Sequence, residues 1–473
     1  MGALLSKKVA IGLCVAVVAL TSVFLLWHLG TEPLQDYDEA TYAQVVHEAR
    51  ADGNFISFTY GGVSYQNKPP LMFWAMAASE SVFGETPFAM RLPFALTGIA
   101  LVAAIILLGA EISGSYLVGA FAGAIALTTG PLMETARQVR MDVPVTFFIV
   151  AAVYGFARAL KNPRWFLLFG LFAGLAVLCK DVIASFAFLA AFFIMLFLWR
   201  VDVLKNKQFW YGIGVFLAVT LPWHIAETVQ FGWAFWEHYI GMQVIERTQQ
   251  NLFWTVTITN GDLWNYVKEF FEPWLAVGSL ALVYFGFNHT SLPFKNRRYI
   301  LAFLATLCCM LVVFLVSVTK APTYLMPLYP FVALSIALIF GPLVSSRYKQ
   351  LFWCAAVGLL LWGGVITVYN AYHYNPYYSI TLQMAVDEKA IGDILAGTPV
   401  GTQWYVYNDP NLGSIMFYSQ RLGNVALAQG DVVAAGSFIV VDSDSVPQLA
   451  MLFPKLKTTS LYNGPQVTLL QTN

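Results

Sequence analysis

Apolar residues in this chain fall in long uninterrupted runs separated by short polar stretches, unlike the striped or alternating patterns of a water-soluble domain. The runs cover about 9–29, 88–110, 115–133, 143–160, 165–180, 182–200, 209–227, 272–288, 299–318, 322–342 and 350–369. A bilayer-crossing helix needs roughly 17–25 residues. The pattern therefore predicts an α-helical polytopic membrane protein of about eleven spans, within a range of about ten to thirteen. Two long loops interrupt it. In the first, about 31–87, a helix from Asp38 would align Tyr42, Val45, Val46 and Ala49 on one stripe. Such a helix is expected to lie on the membrane surface, apolar face down. The second, about 228–271, carries Trp233, Phe235, Trp236, Tyr239, Trp254 and Trp264, as expected of interfacial anchors.

After Tyr372 the pattern changes. Strand-like runs at Gln403–Tyr407 and Ser437–Val441 alternate with helix-compatible stretches at about 380–396 and 445–453. That alternation predicts a small α/β domain. The expected organisation is a transmembrane domain over residues 1–370, containing both loops, and an extracytoplasmic domain over residues 371–473. The first apolar run is longer than a signal-peptide core and lacks a small-x-small site after Leu29, so it is read as a retained helix.

Composition sharpens this picture. Hydrophobic residues make up 58% of the 473 and charged residues only 11%, against roughly 25% charged in soluble domains. The net charge of zero removes any argument for a nucleic-acid partner. The positive-inside rule is satisfied by a cytoplasmic N-terminus. Lys7, Lys8, Arg158, Lys161, Arg164, Arg200, Lys205, Lys207, Lys295, Arg297, Arg298, Arg347 and Lys349 then face inward, opposed by Glu111 and Asp202. Cys14, Cys179, Cys308, Cys309 and Cys354 lie in or beside apolar runs and read as packing residues.

Charged residues near a membrane need a partner or a substrate, and three groups stand out. Asp36–Tyr42 reads either as a helix start, with Asp36 as cap, or as a cleft carboxylate, Asp38, able to act as base. Tyr65 and Lys68 follow, with Pro69-Pro70 fixing the backbone. Glu134–Pro144 holds Arg137 and Arg140, expected on one helix face. They suit phosphate through paired donors, or an internal salt bridge to Glu134 or Asp142. Thr319–Pro327 places Lys320 between apolar runs, as a phosphate ligand or a snorkelling lysine. Glu246-Arg247 reads as an exposed ion pair. His28, His47, His224 and His238 read singly as packing or surface residues. No metal-binding motif is present, so a divalent metal is unsupported by the sequence.

Several motifs, in order over about 300 residues, resemble the GT-C membrane glycosyltransferases of the aminoarabinose transferase and protein mannosyltransferase-like branch. They are Asp38-Glu39-x-x-Tyr42, Gly61-Gly62-x-x-Tyr65-x-x-Lys68-Pro69-Pro70, Phe83-Gly84 with Arg91-Leu92-Pro93, Arg140-x-Asp142, Leu221-Pro222-Trp223 and Lys320-x-Pro322-x-Tyr324-x-x-Pro327. The resemblance implies a sugar carried on a polyprenyl phosphate and transferred to lipid A, another glycolipid, a glycan or a protein, outside the inner membrane. It implies Asp38 as main catalytic carboxylate with Glu39 beside it. Lys68, Arg140, Lys320 and Arg137 would bind the donor phosphate, and Tyr42, Tyr65, Arg91, Asp142 and Tyr324 the substrates. The chain departs from the family at Thr41, where arginine is usual, at Asn67, often acidic, and at Asp181-Val182, where a glycine-rich step is expected. The expected chemistry is direct displacement with inversion. A lipid-sugar transporter would instead line a midplane path with charge, and a non-catalytic membrane scaffold would do neither.

Overall fold

The computed structural model describes residues 2–35, 37–250, 258–345, 349–373, 376–399, 401–407, 413–421, 426–428 and 431–473. Asp36 and Trp254 lie outside the described residues. Seven helices are long and apolar enough to cross a membrane: Lys7–Leu26, Pro87–Ser113, Asp142–Ala159, Pro163–Lys180, Lys207–Phe231, Phe294–Val316 and Pro322–Leu343. Shorter apolar helices at Tyr116–Leu127, Val182–Phe197, Trp274–Asn288 and Trp353–Tyr369 occupy the remaining apolar runs. The run at 115–133 is broken at Thr128-Thr129, whose hydroxyls donate back to the carbonyls of Ala124 and Ile125. The chain divides into two compact units.

The first unit comprises residues 1–27, 66–72 and 92–373 and holds the spanning helices. Their close approach depends on small residues, as lipid gives no hydrophobic drive between helices. A Cβ on Gly170 would lie 1.9 Å from the Gly212 carbonyl oxygen, so no larger residue fits between those helices. Asp142 opens the helix Asp142–Ala159 and Lys180 closes Phe166–Lys180, each at the end its charge favours. Arg158 sits at the far end of the first of these helices, about 24 Å away at 1.5 Å per residue. There Glu111 takes Arg158 at 2.8 Å and also Lys161, while Lys295 donates to the Glu111 carbonyl. Arg200 and Asp202 pair at 2.9 Å. Both acids expected to oppose the inward basic residues are thus paired with them.

The second unit comprises residues 28–65, 73–91 and 374–473. The sequence assigned the first loop to the membrane domain; its contacts instead join most of it to the C-terminal residues. The Tyr42, Val45, Val46 and Ala49 stripe of the helix Asp38–Asp52 is buried within protein rather than against lipid. Tyr42 meets Phe73 edge-on at 5.6 Å, and the helix also packs on Gly413–Ser419. Strands β1 (Thr59–Tyr60) and β2 (Val63–Ser64) form a hairpin whose turn, Gly61-Gly62, has φ of 61° and 76°. Two positive φ values are what a tight hairpin turn demands and glycine supplies. The freed amides of both glycines donate to the buried Glu48 carboxylate at 2.7 and 3.1 Å. On the opposite side of that helix, His47 pairs with Glu85 at 2.8 Å.

The C-terminal sheet has the order β3-β4-β6-β5, with β3 (Trp404–Tyr407), β4 (Phe438–Asp442), β5 (Thr458–Asn463) and β6 (Val467–Thr472). Strands β3 and β4 run parallel and the rest antiparallel. The helix Pro376–Ala396 packs on one face through Ile391 and Leu395. From it Asp387, fully buried, accepts from the amides of Gln466 and Val467, the Tyr462 hydroxyl and the Gln383 amide. A buried carboxylate is tolerated only when so satisfied.

Two outcomes are expected. Asp387→Ala strands two backbone donors and a hydroxyl, and lowers stability by about 3 kcal/mol. Denaturant unfolding with hydrogen exchange at 466–467 measures it. The Glu85 hydrogen bond holds His47 above its ordinary value. Its stabilisation is complete below about pH 6.5 and fades as pH rises through the elevated folded-state value. His47→Gln removes that slope in a melting series against pH.

Candidate active site

In the membrane unit the charged side chains of the middle and late segments converge. Lys180 donates to Asp142 at 2.6 Å, with both side chains nearly buried. The Lys180 ammonium also stands 5.3 Å from the centre of the Tyr324 ring. The Tyr324 hydroxyl accepts from Arg247 at 2.8 Å. The Lys320 segment is stitched to the Arg247 segment by backbone bonds, from Val318 to Thr248 and from Thr319 to Arg247. Lys320 itself is buried and its ammonium meets the Ser317 carbonyl. Asp142, Lys180, Tyr324, Arg247 and Lys320 thus form one polar cluster.

Lys68, half-buried, acts electrostatically together with Lys180 on Asp181. Next to it, Asn67 accepts from both His238 and Gln243. These three neutral groups satisfy one another without a carboxylate. Among the described residues no three His, Cys, Asp or Glu side chains gather as metal ligands.

Asp181 ends the helix Phe166–Lys180 at φ 31°, ψ −139°. That region suits glycine and costs other residues roughly 1–3 kcal/mol. Its Oδ1 is buried with no hydrogen-bond partner among the described residues. It lines a cavity of about 590 Å³ shared with His224, Tyr239 and Trp236. Around it Trp223, Phe235 and Tyr239 form a tight aromatic cluster, so part of the aromatic loop is interior rather than interfacial. The residues 237–246 wind as a π-helix, a form that recurs at functional sites.

Several expected site residues serve the architecture instead. Arg137 and Arg140 share no helix, because the helix ends at Thr135 and the chain turns. Arg137 donates to the carbonyls of Phe24 and Leu25, closing the end of the first helix. Arg140 acts with Glu134 on Tyr266. In the second unit, Glu39 and Arg91 are locked in a buried bidentate pair at 2.7 and 2.8 Å. Arg91 also donates to the carbonyls of Leu29, Glu32 and Pro33, and Glu39 accepts from the Gln35 amide. The catalytic reading of Glu39 and the substrate-binding reading of Arg91 therefore give way to a clamp that fixes the backbone beside Asp38. Tyr42 and Tyr65 both pack on Phe73. Asp38, partly exposed, is the first residue of its helix.

Sequence reasoning did not single out Lys180 or Arg247 as site residues. A lysine closing an apolar run was a legible signal for the first. Arg247, expected in an exposed ion pair with Glu246, donates to the Tyr324 hydroxyl. Asp142→Ala is expected to cost about 3–5 kcal/mol by leaving Lys180 uncompensated. The double variant Asp142→Leu with Lys180→Met recovers most of that loss, as thermal unfolding in detergent will measure.

A family model, dolichyl-phosphate-mannose-protein mannosyltransferase, matches residues 67–225. The chain is 27% identical over 298 residues to an undecaprenyl phosphate-alpha-4-amino-4-deoxy-L-arabinose arabinosyl transferase of Shewanella sediminis, covering 59% of this chain and 50% of that protein. It is 40% identical over 84 residues to a polyprenol-phosphate-mannose--protein mannosyltransferase of Mycobacterium tuberculosis, covering 18% of this chain and 16% of that one. The chain thus spans about half the length, or less, of these relatives. The crystal structure of ArnT from Cupriavidus metallidurans bound to undecaprenyl phosphate superimposes with a TM-score of 0.74 at 18% identity, over 97% of this chain and 98% of that one. Helical architecture and these likenesses agree on the fold: this is a multi-span membrane protein with the fold of that ArnT structure, similar in sequence to aminoarabinose transferases and protein mannosyltransferases.

Proposed function

We propose that the chain is a membrane glycosyltransferase that moves a sugar from a polyprenyl-phosphate donor to a lipid, glycan or protein acceptor on the outer face of the bacterial inner membrane. The observation that carries this reading is the cationic gathering in the membrane unit. Lys180 and Arg247 meet at Tyr324, Lys320 adjoins them, and Lys68 faces Asp181 with Lys180. Oriented cations in poorly hydrated surroundings suit a phosphate leaving group. The Shewanella relative is named for an undecaprenyl-phosphate sugar, and the Cupriavidus structure holds undecaprenyl phosphate. The inward basic residues, paired with Glu111 and Asp202, support a cytoplasmic N-terminus.

In this reading the acceptor oxygen attacks the anomeric carbon as the bond to the phosphate oxygen breaks, with inversion. The acceptor proton passes to a carboxylate base, the role that the sequence resemblance gives to Asp38, and the electron pair leaves with the phosphate, held within the membrane unit by Lys68, Arg247 and Lys320. Arg140 assists from the same unit. Glu39 and Arg91 keep the Asp38 backbone in place. Asp142 orients Lys180.

Asp38→Asn is expected to lower transfer from a radiolabelled polyprenyl-phosphate sugar by about 100-fold or more, without altered melting. Lys68→Met and Arg247→Met raise the donor KM as well as lowering kcat. Full transfer by Asp38→Asn refutes the assigned base. Donor translocation without transfer by the unaltered protein refutes the enzyme, as does the absence of both.

A further inference from the structure

Asp181 is the residue in the membrane unit whose local structure is hardest to explain by stability. It stands where the backbone asks for glycine, at φ 31°. Its Oδ1 is buried without a hydrogen-bond partner among the described residues. A residue that exists only to end a helix would be relieved of both burdens by glycine, which accepts the conformation and carries no carboxylate. The side chain is therefore retained for what it presents.

What it faces is a groove of about 590 Å³ between the segment 177–188 and the helix Lys207–Phe231. Leu217, Leu221, Ile225 and Val229 line it and are themselves exposed, so its wall is open to lipid along a helix side. Ser185 lines it as an exposed hydroxyl, and the threonine and histidine groups are already occupied. Thr220 donates to the Phe216 carbonyl and Thr228 to the His224 carbonyl. His224 is bonded to the Thr220 carbonyl and to the Tyr239 hydroxyl. Tyr239 bonds the Asp181 carboxylate, and Oδ1 remains as a buried acceptor at the head of an apolar groove.

Charge selects the occupant. A phosphate head would meet the Asp181 carboxylate and be repelled. Lys68 and Lys180 already balance Asp181 and Asp142, so an ammonium would leave an excess positive charge. A neutral hydroxyl meets neither penalty and donates the bond that Oδ1 lacks. We propose that this groove binds an apolar chain ending in a hydroxyl, with Asp181 as its specificity-determining residue. On the functional reading above, the ligand is a lipid acceptor anchored through a hydroxyl that does not react, with its reacting oxygen a separate group.

The test uses three photoreactive sixteen-carbon probes that differ only in head group: hydroxyl, ammonium and phosphate. Each is crosslinked to the full-length protein in nanodiscs without sugar donor, and labelled peptides are mapped by mass spectrometry. The hydroxyl probe is expected to label the 217–229 segment roughly ten-fold more than either charged probe. Asp181→Gly is expected to erase that preference while leaving the melting temperature unchanged or higher. Asp181→Asn keeps an acceptor and part of the preference. Equal or stronger labelling by the phosphate or ammonium probe overturns the proposal, as does unchanged preference in Asp181→Gly. A fall in melting temperature for Asp181→Gly also overturns it, because the carboxylate would then be structural. Labelling is read without turnover, so a failed transfer assay with intact labelling refutes only the function proposed above.

Discussion

A charge buried in a lipid-solvated protein survives only where another charge or a full set of hydrogen bonds meets it. The pair of Lys180 with Asp142 is the point on which the membrane unit's polar interior depends. Each residue ends a helix at the pole its charge prefers. Their contact fixes the register of two neighbouring antiparallel helices, and Tyr324 then rests against the lysine. Arg247 is drawn to the same tyrosine from a segment far away in sequence. A lone lysine or aspartate at either position would have to neutralise or leave. The pair makes both ionic forms tenable and leaves a positively charged surface beside it.

The second unit applies the same rule to backbone rather than to substrate. Arg91 binds Glu39 and three carbonyls. Glu48 collects the two glycine amides of a hairpin turn, and Asp387 collects the donors of another turn. In each case a buried charged side chain closes a loop that could not otherwise satisfy its own polar groups. Motif residues that look chemical in sequence, such as Glu39, Arg91 and the Gly61-Gly62 pair, gain their importance from that closure. Asp38 is held in position by its neighbours.

The departures from the family pattern acquire physical content from their surroundings. Asn67 accepts from His238 and Gln243 through its Oδ1, where an acidic residue would bring a negative charge. Asp181 takes a glycine-like conformation while keeping a carboxylate. The first change alters the charge beside Lys68. The second adds an acceptor near cations. Both lie close to the residues assigned to the donor phosphate, where a small change of charge alters which head groups are tolerated.

Much of the architecture was legible along the chain because long apolar runs, helix-ending charges and strand alternation are local properties. The spans, the strands at 404–407 and 438–442, and the helices flanking them follow from hydrophobic period alone. Tyr324 and Lys320 could be singled out because prolines bracket them between apolar runs. The stripe on the helix Asp38–Asp52 was equally legible, but periodicity cannot say whether protein or lipid covers it; Phe73 and Gly413–Ser419 do. Which charge meets which was likewise decided only in three dimensions. Arg137 reaches the carbonyls of Phe24 and Leu25, a contact across more than a hundred residues that no local pattern announces. Arg247 had an adjacent glutamate and bonds a distant tyrosine. Electrostatic partners are chosen by distance and burial, and in a folded helical bundle neither is a function of separation along the chain.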